Sequence, residues 1–343
     1  MPRNLTKLRY LSVVCDSGSC SIPEALYKAK KLRTLILLYP KGDLGEIPTQ
    51  LFSSFRYLRV LDLAQANLVE KNLHSLELSW GDDHEGQLVL LDTLLQNNVN
   101  LMSLTISSCP KIRYIPPSLG NLVNLKTLTI RWCEELVSLP LQLQNLSCLQ
   151  SLEICECHSL SAPPQSISGL ISLKYLSIEN CSHIRSLPIG LEHLSSLEHL
   201  MIMYCPSLVF LPNEWQNLSM LRSLCILSCP QLSSLPDSIQ YVRTLRNLEI
   251  HGCPGLNVLP QWIINLTLLR SLAISDCPNI TPLPDSLQCL TNLQRLSIQE
   301  CPRLEEHCKK NIGDGWPKIA HIAHIYIGSP ELKKENVASS SSC

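Results

Sequence analysis

Aromatic residues are scarce in this chain, 5% of 343 residues, while leucine recurs throughout. A core built from one repeated aliphatic residue suits a structure with one repeated environment. Net charge is nearly absent as well, at a formal −1. No global basic field exists to hold nucleic acid or an anionic membrane surface, so neither is expected as a partner. No run of 18 or more apolar residues occurs, and no membrane span is expected. The opening MPRNLTKLRYLSVV lacks a separate apolar segment and a small-residue cleavage site, so no signal peptide is read and a cytoplasmic location is expected. The phosphate-loop pattern G-x-x-x-x-G-K-[ST] is missing too, and no cofactor is expected. Seventeen cysteines are present, but a disulfide scaffold belongs to short secreted chains.

What is there is a repeat. LMSLTISSC begins at Leu101, and related segments begin at Leu125, Leu149, Leu173, Leu197, Leu221, Leu245, Leu269 and Leu293, always 24 residues apart. Each reads L-x-x-L-x-I-x-x-C, usually followed by P-x-L-x-x-L-P. Leu104 and Ile106 alternate with polar neighbours, the period-two signature of a half-buried strand. Prolines at Pro116, Pro140, Pro164, Pro188, Pro212, Pro236, Pro260 and Pro284 stop the pleat and turn the chain into a short helical or irregular return. One strand and one return per 24 residues make one coil of a solenoid, whose apolar face is buried only against its neighbours. The pattern is that of a leucine-rich repeat. The expected fold is an α/β repeat, a leucine-rich-repeat horseshoe with parallel strands on the concave face and short returns on the convex face.

Cys109, Cys133, Cys157, Cys181, Cys205, Cys229, Cys253, Cys277 and Cys301 take the Asn/Cys place of that pattern. An inward-turned side chain there bonds the loop backbone, and cysteine also packs as a small hydrophobe. Stacked coils lie ~4.8 Å apart, near disulfide range, but parallel side-chain directions argue against bridging. Sequons at Asn4, Asn145, Asn217 and Asn265 coincide with an N-L-x-x-L element of the repeat, which Asn121 and Asn292 share without a sequon.

Four regions are expected. Residues 1–100 hold irregular repeats with a polar loop near 79–87. Residues 101–304 hold the nine regular ones, 305–329 form a C-terminal cap, and 330–343 are a tail with too little apolar content to fold. Strand patterns begin at Leu8, Leu32, Leu58 and Leu73. The last spacing, 15 residues, is below the minimum for a leucine-rich coil, so one of these two strands is expected outside the ladder, or a coil has been lost. LVLLDTLLQN reads as a short amphipathic helix. His307 occupies a leucine slot, and Ile322-x-x-Ile325-x-Ile327 reads as a displaced last strand.

The C-P-x-L-x-x-L-P blocks and the ending CPRLEEHCKKNIGDGWPKIAHIAHIYI resemble the C-terminal repeat domain of plant intracellular nucleotide-binding leucine-rich-repeat (NLR) disease-resistance proteins of the coiled-coil class. NLVEKNLHSLELSWGD resembles the stretch those proteins carry before a variable acidic loop. The resemblance covers nearly the whole chain, but the nucleotide-binding module has no counterpart here. It implies a non-catalytic module that holds a receptor inactive and contacts pathogen-derived ligands. Expected partners are the nucleotide-binding module of such a receptor, a pathogen effector or a guarded host protein.

The x positions of L-x-x-L-x-I-x-x-C should face the concave surface. After the first leucine come Lys126, Lys174, Arg222, Arg246 and Arg270, interrupted by Glu198. Acidic residues follow at Glu153, Glu156, Glu179, Glu249, Asp276 and Glu300. Trp132, Tyr175, His199, Met201, Met203, Tyr204, Leu227 and His251 add aromatic, methionine, leucine and imidazole side chains, which on an exposed strand face are typical of interface anchors. With Arg222, Arg246 and Arg270 they form the expected partner-binding surface. His321, His324, His307 and Cys308 could suggest zinc, but the alternation already requires polar residues outward at the two C-terminal histidines. No catalytic set is proposed. Competing readings are a free-standing scaffold or adaptor without an immune role, and a secreted inhibitor of wall-degrading enzymes. The absent signal peptide and single-cysteine ladder oppose the second of these.

Overall fold

A strand whose leucines point one way can bury them only if the next strand stacks beside it with the same register. The chain does this repeatedly. The structure, a computed structural model, describes residues 8–14, 26, 28–29, 34–38, 60–64, 75–79, 91–92, 95–96, 99–161, 167–188 and 190–328, with the backbone alone at 13–14, 34–38, 60–64, 75–79 and 286. The returns at Pro23, Pro48 and Pro164, the sequon at Asn4, the polar stretch 80–87 and the tail 330–343 lie outside the described residues.

The described strands form one fourteen-stranded parallel sheet in simple chain order. The first four are β1 (Tyr10–Val14), β2 (Thr34–Leu38), β3 (Val60–Ala64) and β4 (Ser75–Ser79). The regular array follows: β5 (Ser103–Ser107), β6 (Thr127–Arg131), β7 (Ser151–Cys155), β8 (Tyr175–Glu179), β9 (His199–Met203), β10 (Ser223–Leu227), β11 (Asn247–His251), β12 (Ser271–Ser275) and β13 (Arg295–Gln299). The last is β14 (His324–Ile327). Leucine stands opposite leucine and isoleucine opposite isoleucine, as in Leu200↔Leu224 and Ile202↔Ile226. A one-residue slip would turn every such side chain outward, so the register is strongly specified.

Where the spacing breaks, the ladder does not. Both β3 and β4 belong to it, paired from Val60↔Ser75 to Ala64↔Ser79. The expectation that one of them lies outside is therefore replaced. The shared L-x-L alternation of VLDLA and SLELS fixes pairing whatever length of chain joins them. Leu91 and Leu95 are buried, consistent with an amphipathic helical stretch there.

Behind the sheet the returns are single turns of 3-10 helix. Pro116, Pro140, Pro236, Pro260 and Pro284 immediately precede them. In each, the proline carbonyl accepts the backbone N–H three residues on, as in Leu119 N to Pro116 O at 3.1 Å. One coil departs. Trp215, fully buried, occupies the slot that Leu119, Leu143, Ile239 and Ile263 fill elsewhere, and its indole Nε1 donates to Pro212 O at 2.6 Å. The indole takes the carbonyl that would otherwise close the turn, and residues 212–216 form no 3-10 helix.

At the C-terminal end the pattern changes as an open solenoid end requires. A helix spans Pro302–His307, with Glu305 Oε1 accepting from Cys301 N at 2.9 Å. A second turn spans Trp316–Ile319 and is tied to the preceding coil by Lys318 Nζ, 2.6 Å from Asp285 Oδ1 and 3.2 Å from Leu283 O. β14 then pairs with β13 from Arg295↔His324 to Ile298↔Ile327.

Candidate binding face and its cysteine ladder

The strands end where the sheet must bend back, and the sequence gives little sign of how. Immediately after each strand, Ser108, Trp132, Glu156, Asn180, Tyr204, Ser228, Gly252, Asp276 and Glu300 all have positive φ, between 48° and 61°. Left-handed backbone costs a non-glycine residue roughly 1–2 kcal/mol, and only one of the nine is glycine. The ladder offsets that cost: Trp132 N donates to Cys155 O at 3.0 Å and Tyr204 N to Leu227 O at 2.8 Å, each reaching the next coil. The left-handed turn aims the side chain out along the strand exit, so Trp132 and Tyr204 are about half exposed.

The turn also sends the next residue inward. Cys133, Cys157, Cys181 and Cys205 are fully buried, with each Sγ 3.3–3.5 Å from the carbonyl two residues back and 3.9–4.0 Å from an isoleucine carbonyl of the preceding coil. The thiol thus donates to loop backbone as expected from the repeat. All fourteen described cysteines are free. Hydrogen bonding to the neighbouring thiol Cys109 pushes Cys133 up to about 12, and burial pushes Cys229 to the same value. Such thiols are not nucleophiles near neutral pH. Alkylation of the folded protein at pH 8 should therefore label Cys148 and Cys289, which are exposed, and leave the buried ladder untouched until the chain is unfolded. Peptide mapping by mass spectrometry reads this directly. Labelling of Cys157 or Cys205 in the native state would contradict the assignment.

On the concave face Tyr175 stands opposite His199, Met201 opposite Cys225, and Met203 opposite Leu227, which in turn faces His251. Tyr175 Oη donates to Met201 Sδ at 3.1 Å. His199 is exposed, while Tyr175, Met201, Met203, Leu227 and His251 are half-buried. The structure thus brings these six together with Tyr204 at the strand exit. Trp132 stands apart, three coils away, with Arg131 stacked 4.9 Å from its ring centroid.

The basic column does not lie within the strands. Lys126, Lys174, Arg222, Arg246 and Arg270 each precede a strand by one residue and form a leading rim. Arg222 pairs with Glu198 at 3.0 Å, whereas Arg246 and Arg270 are exposed and make no ion pair among the described residues. Glu156, Glu179, Asp276 and Glu300 lie at or just past the opposite strand ends, a trailing rim of the other sign.

Sequence reasoning missed two residues of this surface. Val209 and Phe210 are exposed on the loop after Tyr204, and Phe210 bridges to Ser186 of the coil before. The column at 24-residue spacing reads Tyr114, Ser138, Ala162, Ser186, Phe210, Ser234, Val258 and Pro282, mixed enough that the sequence alone does not single Phe210 out. Coil 197–220 accordingly carries an apolar ridge from Met201 across Met203 and Tyr204 to Phe210.

Among the described residues no group of histidine, cysteine, aspartate and glutamate side chains could hold a metal ion. No described helix is long and apolar enough to cross a membrane. A groove of about 750 Å³ lies by the C-terminal turns, lined in part by Glu305, Lys309, Trp316 and Ile325.

Residues 100–231 match a family model described as a leucine-rich repeat region, and residues 237–301 match one described as R13L1/DRL21 LRRs. Among solved structures, a leucine-rich-repeat protein of Leptospira interrogans is similar at 20% identity and TM-score 0.63, over 95% of this chain and 79% of that one. An internalin from Listeria monocytogenes is similar at 16% identity and TM-score 0.53, over 95% and 88%. The Toll–Spatzle complex of Drosophila contains a chain similar at 16% identity and TM-score 0.62, over 92% of this chain and 46% of that one. At these identities the likeness is one of fold. A search of curated proteins gave no match.

Proposed function

We propose that this chain, a leucine-rich-repeat protein, is the ligand-sensing and autoinhibitory module of a plant intracellular immune receptor of the NLR type, acting without catalysis. Leucine-rich-repeat modules in general bind proteins, and the observation that carries the reading is the apolar ridge on an otherwise polar concave face: Met201, Met203, Tyr204 and Leu227 grouped on β9 and β10. Grouped exposed methionine and aromatic residues mark interaction surfaces more often than solvated ones. Support for the immune setting comes from the ending CPRLEEHCKKNIGDGWPKIAHIAHIYI and from the R13L1/DRL21 match over 237–301.

In this reading the partners are the receptor's nucleotide-binding module and a pathogen effector or guarded host protein, and the setting is cytoplasmic. Trp132, Tyr175, His199, Met201, Met203, Tyr204, Arg222, Leu227, Arg246, His251 and Arg270 form the contact surface. Residues 1–100, 101–304 and 305–329 serve as irregular coils, regular array and cap.

The test is co-expression with nucleotide-binding modules of coiled-coil-class NLR proteins. Substituting Arg222, Arg246 and Arg270 by Glu should abolish co-purification with a bound module, by long-range charge reversal rather than by misfolding. Unchanged recovery of every module tried would end the autoinhibitory role. A free-standing leucine-rich-repeat scaffold or adaptor without an immune role is the second reading. An in-frame nucleotide-binding module upstream of Met1 in the genome would decide between them.

A further inference from the structure

The concave face sorts its charges by rim, and this defines the chemistry of what it holds. The leading rim is basic at Lys174, Arg246 and Arg270, all exposed. The trailing rim is acidic at Glu156, Glu179 and Asp276. Between them lies the apolar ridge on β9 and β10, at whose leading end the Arg222–Glu198 pair leaves no net charge, and beside it Glu249, exposed on β11, is the one mid-strand carboxylate of this span. A surface ordered basic, apolar, acidic across the strand direction is complementary to an element ordered acidic, apolar, basic.

Dimensions choose the element. Five-residue strands set the rims about 16 Å apart, and a helix with its side chains is about 10–12 Å wide. A helix therefore lies between the rims along the solenoid axis, and its 3.6-residue period supplies one downward stripe and two separate flanks. An extended strand has only two faces and cannot present three. From Lys174 to Arg270 there are four coil steps of ~4.8 Å, a span covered by about 13 helical residues.

We infer that the concave face binds an amphipathic helix of a partner protein, about 13 residues long, with an apolar stripe on Met201, Met203 and Leu227, acidic residues toward Arg246 and Arg270, and basic residues toward Glu179 and Asp276. This rests on the protein-binding reading of the same face. The two flanks fix the direction in which the helix lies, since turning it end for end would set like charges against both rims.

Three lactam-bridged peptides of equal length test the inference, sharing one leucine and phenylalanine stripe. One carries Glu on one flank and Lys on the other; the second carries Glu on both; the third carries Lys on both. Fluorescence anisotropy with the full chain at low ionic strength should show the mixed peptide binding about tenfold more tightly than either other. R246E/R270E should transfer the preference to the Lys-flanked peptide, and E179K/D276K to the Glu-flanked one. All four positions are surface residues, and an unchanged circular dichroism spectrum confirms that each variant is folded. Equal binding of the three peptides, or preferences that ignore the reversals, overturns the charge assignment. Binding by none of them overturns the helix, while the co-purification assay with nucleotide-binding modules still reports separately on whether the face binds protein.

Discussion

Above about pH 9 the folded chain should lose stability steeply and unfold cooperatively. Its ladder thiols hold their protons far past the ordinary value of 9.0: Cys133, Cys229 and Cys277 are pushed up to about 12, and Cys157 and Cys181 are raised as well. In the unfolded chain the same thiols ionise at the ordinary value. Between about pH 9 and 12 the unfolded state therefore binds fewer protons, and stability falls as pH rises. Below pH 9 both states are protonated and the full stability is present. Each such thiol removes about 1.4 kcal/mol per pH unit, so five remove about 7 kcal/mol. That is the size of a typical domain's whole stability, about 5–15 kcal/mol. Urea unfolding at pH 8, 9 and 10 measures the slope and hence the proton count. A midpoint unchanged from pH 8 to pH 10 would refute the account. Replacing Cys133, Cys181 and Cys229 together by alanine should flatten the slope while lowering stability at neutral pH.

Trp215→Ala should cost about 3–5 kcal/mol, the largest loss expected from any single truncation in the array. The indole is fully buried and also holds Pro212 O, so alanine leaves both a cavity and an unpaired carbonyl. Trp215→Leu should cost far less. Seven other coils carry leucine or isoleucine at that slot, and in five of them its backbone N–H closes onto the preceding proline carbonyl. Denaturation of the two variants separates the explanations. Equal losses would mean that a leucine does not restore the turn in this coil, and that the indole and its hydrogen bond, which both variants lack, carry its stability. Because each coil rests on its neighbours, the transition in Trp215→Ala should also broaden, as the array uncouples near coil 197–220.

Periodicity carried most of the architecture. A 24-residue spacing held by Leu104, Leu128, Leu152 and their successors specifies strand, register and interior at once, since a repeated side chain must meet a repeated environment. The return prolines were legible for the same reason. The N-terminal coils were less so: spacing alone argued against β3 and β4 lying side by side, because spacing counts the connection, whereas pairing depends on the strands. Of the proposed binding surface, the strand-facing columns could be written from the pattern, and the strands set Tyr175, Met201, Met203 and Leu227 side by side. Two things could not be seen. The indole bond at Trp215 depends on local geometry that a leucine-like slot conceals. Phe210 lies outside the strand, where no period-two rule applies, in a column that also holds Tyr114 and Val258 beside several serines.

The single left-handed residue at each strand exit sets a rule for how this surface can vary. Serine, tryptophan, glutamate, asparagine, tyrosine, glycine and aspartate all occupy it here, but no valine, isoleucine or threonine does. Branching at Cβ is costly on this backbone, and the ring of proline, fixed at negative φ, cannot take it at all. The outermost row of the face is thus open to many chemistries and closed to a few shapes. A lineage of such proteins could exchange charge, size and aromaticity along that row to meet new ligands without disturbing the stack beneath.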